Sequence, residues 1–77
     1  MKEVHNEKYM KLGLKIAYYR KLRKLTQEQL AETINKSTAF IGQIEAVNVT
    51  KGISVDTLFD IAEALAIPPY KLLDFED

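Results

Sequence analysis

The side chains of this sequence that could do chemistry are mainly cations and hydrogen-bonding amides. In residues 8–24 every charged side chain is basic, namely Lys8, Lys11, Lys15, Arg20, Lys21, Arg23 and Lys24. After Gly52 the sign reverses, and Lys71 is the only base among acidic residues. Although the formal net charge is zero, the molecule is therefore expected to be electrically two-sided, with a basic part that attracts polyanions. Two solvated helix faces of opposite sign explain the charge pattern alone equally well.

Side chains suited to catalysis or metal binding are scarce. The chain has no Cys, and its one His, His5, stands alone near the N-terminus. No recognisable motif places a pair of carboxylates, and there is no Gly-rich phosphate loop. We therefore expect no enzymatic activity, no metal site and no cofactor.

The length of 77 residues predicts one domain over residues 1–77, with a core at about 9–73 and loose ends at 1–7 and 74–77. No run approaches the ~20 apolar residues of a membrane span, and no apolar signal region follows the charged N-terminus. These features predict a soluble, cytoplasmic protein with no membrane partner.

The rest of the chain is organised around residues 26–45, TQEQLAETINKSTAFIGQIE, which predict two short helices joined by a tight turn. Thr26 and Gln29 have the spacing of a capping box, and Asn35 tolerates a left-handed turn. Ser37 can then cap a second helix over residues 38–46. Gly42 weakens that helix, which suggests that another group approaches it closely.

Three further helices are expected to support this pair. The first covers about residues 8–23. Another follows the N-cap Ser54, carries Val55 on its inward face and ends near residue 66. Pro68 and Pro69 then stop this helix and permit a short fifth one. The predicted fold is all-α and compact, with five helices.

Two short helices at this spacing could lay the second in the major groove of DNA while the first crosses the backbone. The sequence resembles the helix-turn-helix domain of the Cro and lambda-type repressors, the xenobiotic-response-element family of bacterial regulators. The resemblance covers about residues 12–73. It rests on Arg20, on TQEQLAE, on IxxIE at 41–45, on SxxTLxxIAxAL at 54–65 and on IPPYKLL from residue 67. It implies a lambda repressor-like domain that binds double-stranded DNA and regulates transcription.

The resemblance also implies roles for individual residues. Thr38, Ala39 and Gln43 match base-reading positions, where Gln can pair with adenine and Thr or Ala can touch a thymine methyl group. Arg20 and Glu45 match an internal ion pair. Contacts with DNA phosphates are expected from Gln27, Lys36, Asn48, Thr50 and Lys51. Ordinary solvated surface remains the alternative for the exposed polar residues.

The sequence departs from the family pattern in places. Lys24 and Asn35 stand where relatives often have Gly, and the loop at 46–53 is longer than usual. Ala39 and Gly42 leave few long polar side chains on the outward face of the second helix.

We predict a sequence-specific repressor that acts as a homodimer, because one such helix reads too few base pairs to be selective. The apolar residues left over for the dimer interface are Tyr18, Leu22, Phe59, Tyr70 and Phe75. The alternative is a protein-interaction module on the same fold, such as an antitoxin-like or regulatory subunit, whose groove face meets a protein partner.

Overall fold

The computed structural model describes residues 5–48 and 51–75, and within these ranges all regular structure is helical. Four α-helices follow in order: α1 (Asn6–Leu22), α2 (Gln27–Thr33), α3 (Thr38–Glu45) and α4 (Val55–Ala64). A 3-10 helix at Pro69–Leu72 ends the fold. The all-α prediction is therefore confirmed.

The predicted fifth α-helix is instead this single 3-10 turn. The backbone N–H of Lys71 donates to the Pro68 carbonyl at 3.1 Å, and that of Leu73 to the Tyr70 carbonyl at 3.0 Å. Each acceptor lies three residues earlier, which is the 3-10 pattern. Pro69 has no N–H to donate, and four residues are too few for repeated α-helical hydrogen bonds. The turn nevertheless places Leu72 in the core, where it is fully buried.

The predicted caps fix where the central helices begin. Thr26 accepts from the backbone of Gln29, whose side chain accepts in return from the Thr26 N–H, which completes the capping box. The hydroxyl groups of Ser37 and Ser54 cap α3 and α4 by accepting from the backbone N–H groups of Phe40 and Thr57. By contrast, α1 begins two residues before the predicted residue 8. Glu7 lies favourably in its first turn and forms an ion pair with Lys11 at 3.6 Å.

Three helices end at a residue in the left-handed conformation, and none of the three is Gly. Lys24, Asn35 and Ala66 have φ angles of 61°, 60° and 60°. After each, the chain closes the same pair of backbone hydrogen bonds; Lys36, for example, donates to Ala31 at 2.8 Å. The turn predicted at Asn35 is thus confirmed. Ala66, unlike Asn35, has no short polar side chain that could hydrogen-bond locally and offset the strain of this conformation.

We therefore expect Ala66→Gly to raise the free energy of unfolding by about 0.5–1 kcal/mol. Gly removes the steric penalty of the left-handed conformation, and this outweighs its larger entropy in the unfolded chain. Urea unfolding measures the change. Ala64→Gly, at the last residue of α4, is the control and should instead destabilise by up to about 1 kcal/mol. Equal losses from both substitutions would contradict this prediction.

The core lies where α1, α2, α3 and α4 meet. Its fully buried large side chains are Ile16, Leu30, Ile41, Ile61, Leu65 and Leu72. Gly13 is buried where α1 crosses α3. A Cβ at this position would overlap the carbonyl oxygen of Ile44 and lie 3.1 Å from its carbonyl carbon, so the close crossing requires glycine. Val55, expected to face inward, is 63% exposed, since it is the first residue of α4 and lies beyond the edge of the core.

Candidate nucleic-acid interface

A buried polar network ties α1, α2 and α3 together. The Arg20 guanidinium donates to both Glu45 carboxylate oxygens, from Nε at 2.7 Å and from Nη2 at 2.9 Å. Its third donor, Nη1, bonds the Leu25 carbonyl at 2.7 Å. The side chains of Arg20 and Glu45 are only 10% and 6% exposed, so this pair orients α3 against α1 and is shielded from solvent.

Gln27 joins this network from the first turn of α2. Its Nε2 donates to Glu45 Oε1 at 2.9 Å. An amide nitrogen has two hydrogens, so one donor remains for a partner outside the protein. Sequence reasoning gave Gln27 only a phosphate contact and missed the hydrogen bond that holds it beside α3.

The outward side of α3 presents the three residues assigned to base reading. Thr38, Ala39 and Gln43 are all exposed. With Gly42 they occupy roughly 140° of the helix circumference, while Ile41 and Ile44 point into the core on the other side. A Cβ at Gly42 would meet only Gln27 Oε1, at 3.7 Å, so the close approach expected at this glycine is an ordinary contact.

Four of the residues assigned to phosphates lie before or after α3 in the sequence. Lys36 precedes the helix and Lys51 follows its loop, and the ammonium groups of both lie over the Phe40 ring. Asn48 is exposed in the turn after α3. Thr50 lies outside the described residues, as does Val49.

Comparison with known proteins decides the family. The sequence profile described as helix-turn-helix matches residues 16–72, which include all four α-helices in whole or in part. The chain belongs to the helix-turn-helix family.

The structure is also similar to the restriction-modification controller protein C.AhdI from Aeromonas hydrophila. The TM-score is 0.81 at 26% sequence identity, over 88% of this chain and 96% of that one. A search of curated protein sequences finds no significant match. The resemblance inferred from the sequence motifs is confirmed by the family match and by this structure.

In this helix-turn-helix domain Arg23 has a role that the sequence did not reveal. Its Nε donates to the Leu65 carbonyl at 2.7 Å and its Nη2 to the Ala66 carbonyl at 3.1 Å. The guanidinium thereby satisfies carbonyl groups at the C-terminal end of α4, where a positive charge is favourable. Because these carbonyl groups hold the Arg23 guanidinium, substituting Arg23 would disturb the fold as well as the charge of α1. Lys21 is therefore the better residue for testing the electrostatic attraction between the basic α1 and DNA.

The apolar residues assigned to a dimer interface lie on three elements of the helix-turn-helix domain and beyond its last turn. Tyr18 and Leu22 of α1, Phe59 of α4 and Tyr70 of the 3-10 helix are between 51% and 65% exposed. Phe75 is instead half-buried against the core. Tyr18 and Phe75 line one groove of about 580 Å³, together with Met10 and Leu14.

The part of the chain that the structure describes holds neither a metal-binding cluster nor a membrane-spanning helix. No group of three or more His, Cys, Asp or Glu side chains is placed to hold a metal ion. No helix in this part of the chain is long and apolar enough to cross a membrane.

Proposed function

We propose that this chain is a sequence-specific transcriptional regulator that binds double-stranded DNA as a homodimer and inserts α3 into the major groove. The observation that supports it most is the anchoring of α3. Glu45 at its C-terminal end is held by Arg20 and Gln27, while Thr38, Ala39 and Gln43 remain exposed. A rigid helix with a solvent-facing polar side suits direct readout of base edges.

In this proposal the base contacts come from Thr38, Ala39 and Gln43, and the phosphate contacts from residues around them. The amide of Gln27 keeps one hydrogen for a phosphate at the start of α2. Lys36, Asn48, Thr50 and Lys51 would contact the DNA backbone beside α3. Arg20 and Glu45 act within the protein and touch no DNA.

A dimer would place two copies of α3 about 34 Å apart, one turn of the duplex. The exposed apolar side chains of Tyr18, Leu22, Phe59 and Tyr70 supply candidate surface for it, and Phe75 adds less because it already packs on the core. C.AhdI is a controller protein, and the likeness to it favours a regulatory role rather than an enzymatic one.

A mobility-shift assay with pooled random duplexes over a salt series tests DNA binding. Because phosphate contacts release counterions, binding should strengthen steeply as salt falls. Absence of a shifted species even at low salt would refute the proposal. Sedimentation of the complex with a selected duplex then tests the expected two chains per site.

Gln43→Ala should alter which sequence is preferred, at a cost of about 1–3 kcal/mol on the best site of the native protein. Lys21→Ala should instead weaken all duplexes alike and flatten the salt dependence. Selection from a random pool followed by titration of the winners measures both effects. If Gln43→Ala left the selected sequence unchanged, the base-reading role of α3 would be wrong.

A protein-interaction module is the second candidate, because the exposed side of α3 has few long polar side chains. Ala39 and Gly42 occupy two of its four outward positions. Purification from the native host distinguishes the two functions. One stoichiometric protein partner, released by changes at Thr38 or Gln43, with no DNA binding, would favour this alternative.

A further inference from the structure

Two lysines from different segments converge on one aromatic ring beside α3. Lys36 Nζ lies 5.3 Å from the centroid of the Phe40 ring, and Lys51 Nζ lies 5.5 Å from it. The whole of α3 separates the two lysines in the sequence, so helical spacing alone does not bring them together. Their ammonium groups can be no further apart than the sum of these two distances.

The backbone on each side of the ring is held in place. The Lys36 N–H donates to the Ala31 carbonyl at 2.8 Å, which fixes the turn after α2. Beyond Lys51, the Tyr9 ring of α1 packs on the loop, with atoms 3.5 to 3.6 Å from where a Gly52 Cβ would lie. Phe40 itself is half-buried and packs on the core, so the ring is a fixed platform.

Within the part of the chain that the structure describes, neither lysine forms an ion pair with a carboxylate, whereas Lys11 pairs with Glu7 and Arg20 with Glu45. Two like charges at one ring repel each other, and the attraction of each to the electron-rich ring offsets part of this repulsion. Anions placed beside the two ammonium groups would add further attraction.

We propose that Phe40 is a positioning residue that holds Lys36 and Lys51 as a two-cation clamp for the DNA backbone phosphates beside α3. This inference rests on the proposed function, because it takes DNA as the source of the phosphates. Cation–π contact restricts two long, flexible side chains before DNA arrives, so less conformational freedom is lost on binding. Each ammonium keeps its N–H donors for phosphate oxygens.

A mutant cycle isolates this role from the packing of Phe40. Binding to one selected duplex is measured for the native protein, Phe40→Leu, the double variant Lys36→Gln with Lys51→Gln, and the triple variant. We expect Phe40→Leu to weaken binding about tenfold when both lysines are present and less than twofold when both are Gln. The double variant should lower the salt slope by about 0.9 for each phosphate that the pair holds.

Phe40→Tyr, which keeps the ring, is the matched control and should bind within about twofold of the native protein. Thermal unfolding followed by circular dichroism identifies a temperature at which every variant is folded, and binding is measured at that temperature. The ring current of Phe40 should also shift the ε-methylene proton signals of Lys36 and Lys51 upfield in the free protein, and Phe40→Leu should abolish those shifts.

The experiments distinguish failure of the clamp from failure of the proposed function. An equal loss from Phe40→Leu in both backgrounds, or normal lysine proton shifts in the native protein, would overturn the clamp while leaving DNA binding intact. Native protein that binds no duplex at low salt would overturn the proposed function, and the phosphate ligand of the clamp with it.

Discussion

Replacing Gly13 with Ala is expected to destabilise the fold by about 3 kcal/mol or more. An added Cβ would overlap the Ile44 carbonyl oxygen and lie 3.4 Å from the Glu45 Cα, so its three nearest neighbours are all backbone atoms of α3. Backbone cannot rotate away as a side chain can. Helix α1 would have to move off α3, although Ala alone favours a helix by about 1 kcal/mol.

Gly42→Ala is the matched control for this prediction. It makes the same chemical change inside a helix, but its Cβ would meet only the end of the flexible Gln27 side chain at 3.7 Å. We expect Gly42→Ala to stabilise by up to about 1 kcal/mol. Urea unfolding of the two variants gives both values, and a Gly13→Ala protein as stable as the native one would contradict the close crossing of α1 and α3.

Replacing Glu45 with Ala is expected to cost about 3–5 kcal/mol, because it leaves the buried Arg20 guanidinium without its partner. The Gln27 amide loses its acceptor at the same time. For a domain of this size, whose total stability is only about 5–15 kcal/mol, such a loss removes a large share. Thermal melting of Glu45→Ala, with Glu45→Gln as a milder variant, measures it.

The double variant Arg20→Met with Glu45→Leu separates the cost of an unpaired charge from the value of the pair. Apolar residues of similar size can replace a buried ion pair with little loss. We therefore expect the double variant to be more stable than Glu45→Ala, although it should bind DNA less well because α3 loses its anchor. A double variant that costs as much as the two single changes added together would contradict this account.

Local features of the fold were predictable because their causes lie within a few residues. The capping box at Thr26 and Gln29, the cap at Ser37 and the left-handed Asn35 each follow from side-chain chemistry at fixed offsets. These three features define the start of α2, the turn and the start of α3. The helix-turn-helix could thus be recognised before any tertiary contact was known.

Contacts between distant segments were not predictable in the same way. Arg23 donates to the carbonyl groups of the two residues just after α4, which lie 42 and 43 residues further along the chain, and nothing near Arg23 in the sequence points to them. A glycine inside a helix does suggest a close approach. The sequence suggests such an approach at Gly42, whereas the structure has it at Gly13, because only the packing of α1 on α3 decides which glycine has a backbone neighbour.

In the candidate interface, too, local features were predictable and contacts between distant segments were not. The outward positions of α3 follow from helix periodicity, so Thr38, Ala39 and Gln43 could be named from the sequence. The hydrogen bond from Gln27 to Glu45 and the meeting of Lys36 with Lys51 at Phe40 depend on how the helices pack. For that reason the cations around α3 could be named one by one but not as an arrangement.

Amide chemical-shift mapping tests most directly whether the outward side of α3 contacts DNA. A ¹⁵N-labelled protein is titrated with a duplex selected from the random pool. We predict that the largest shifts fall on Thr38, Ala39, Gly42 and Gln43, with further shifts at Gln27, Lys36 and Lys51. Shifts confined to α4 and the 3-10 helix, with α3 unaffected, would contradict this contact.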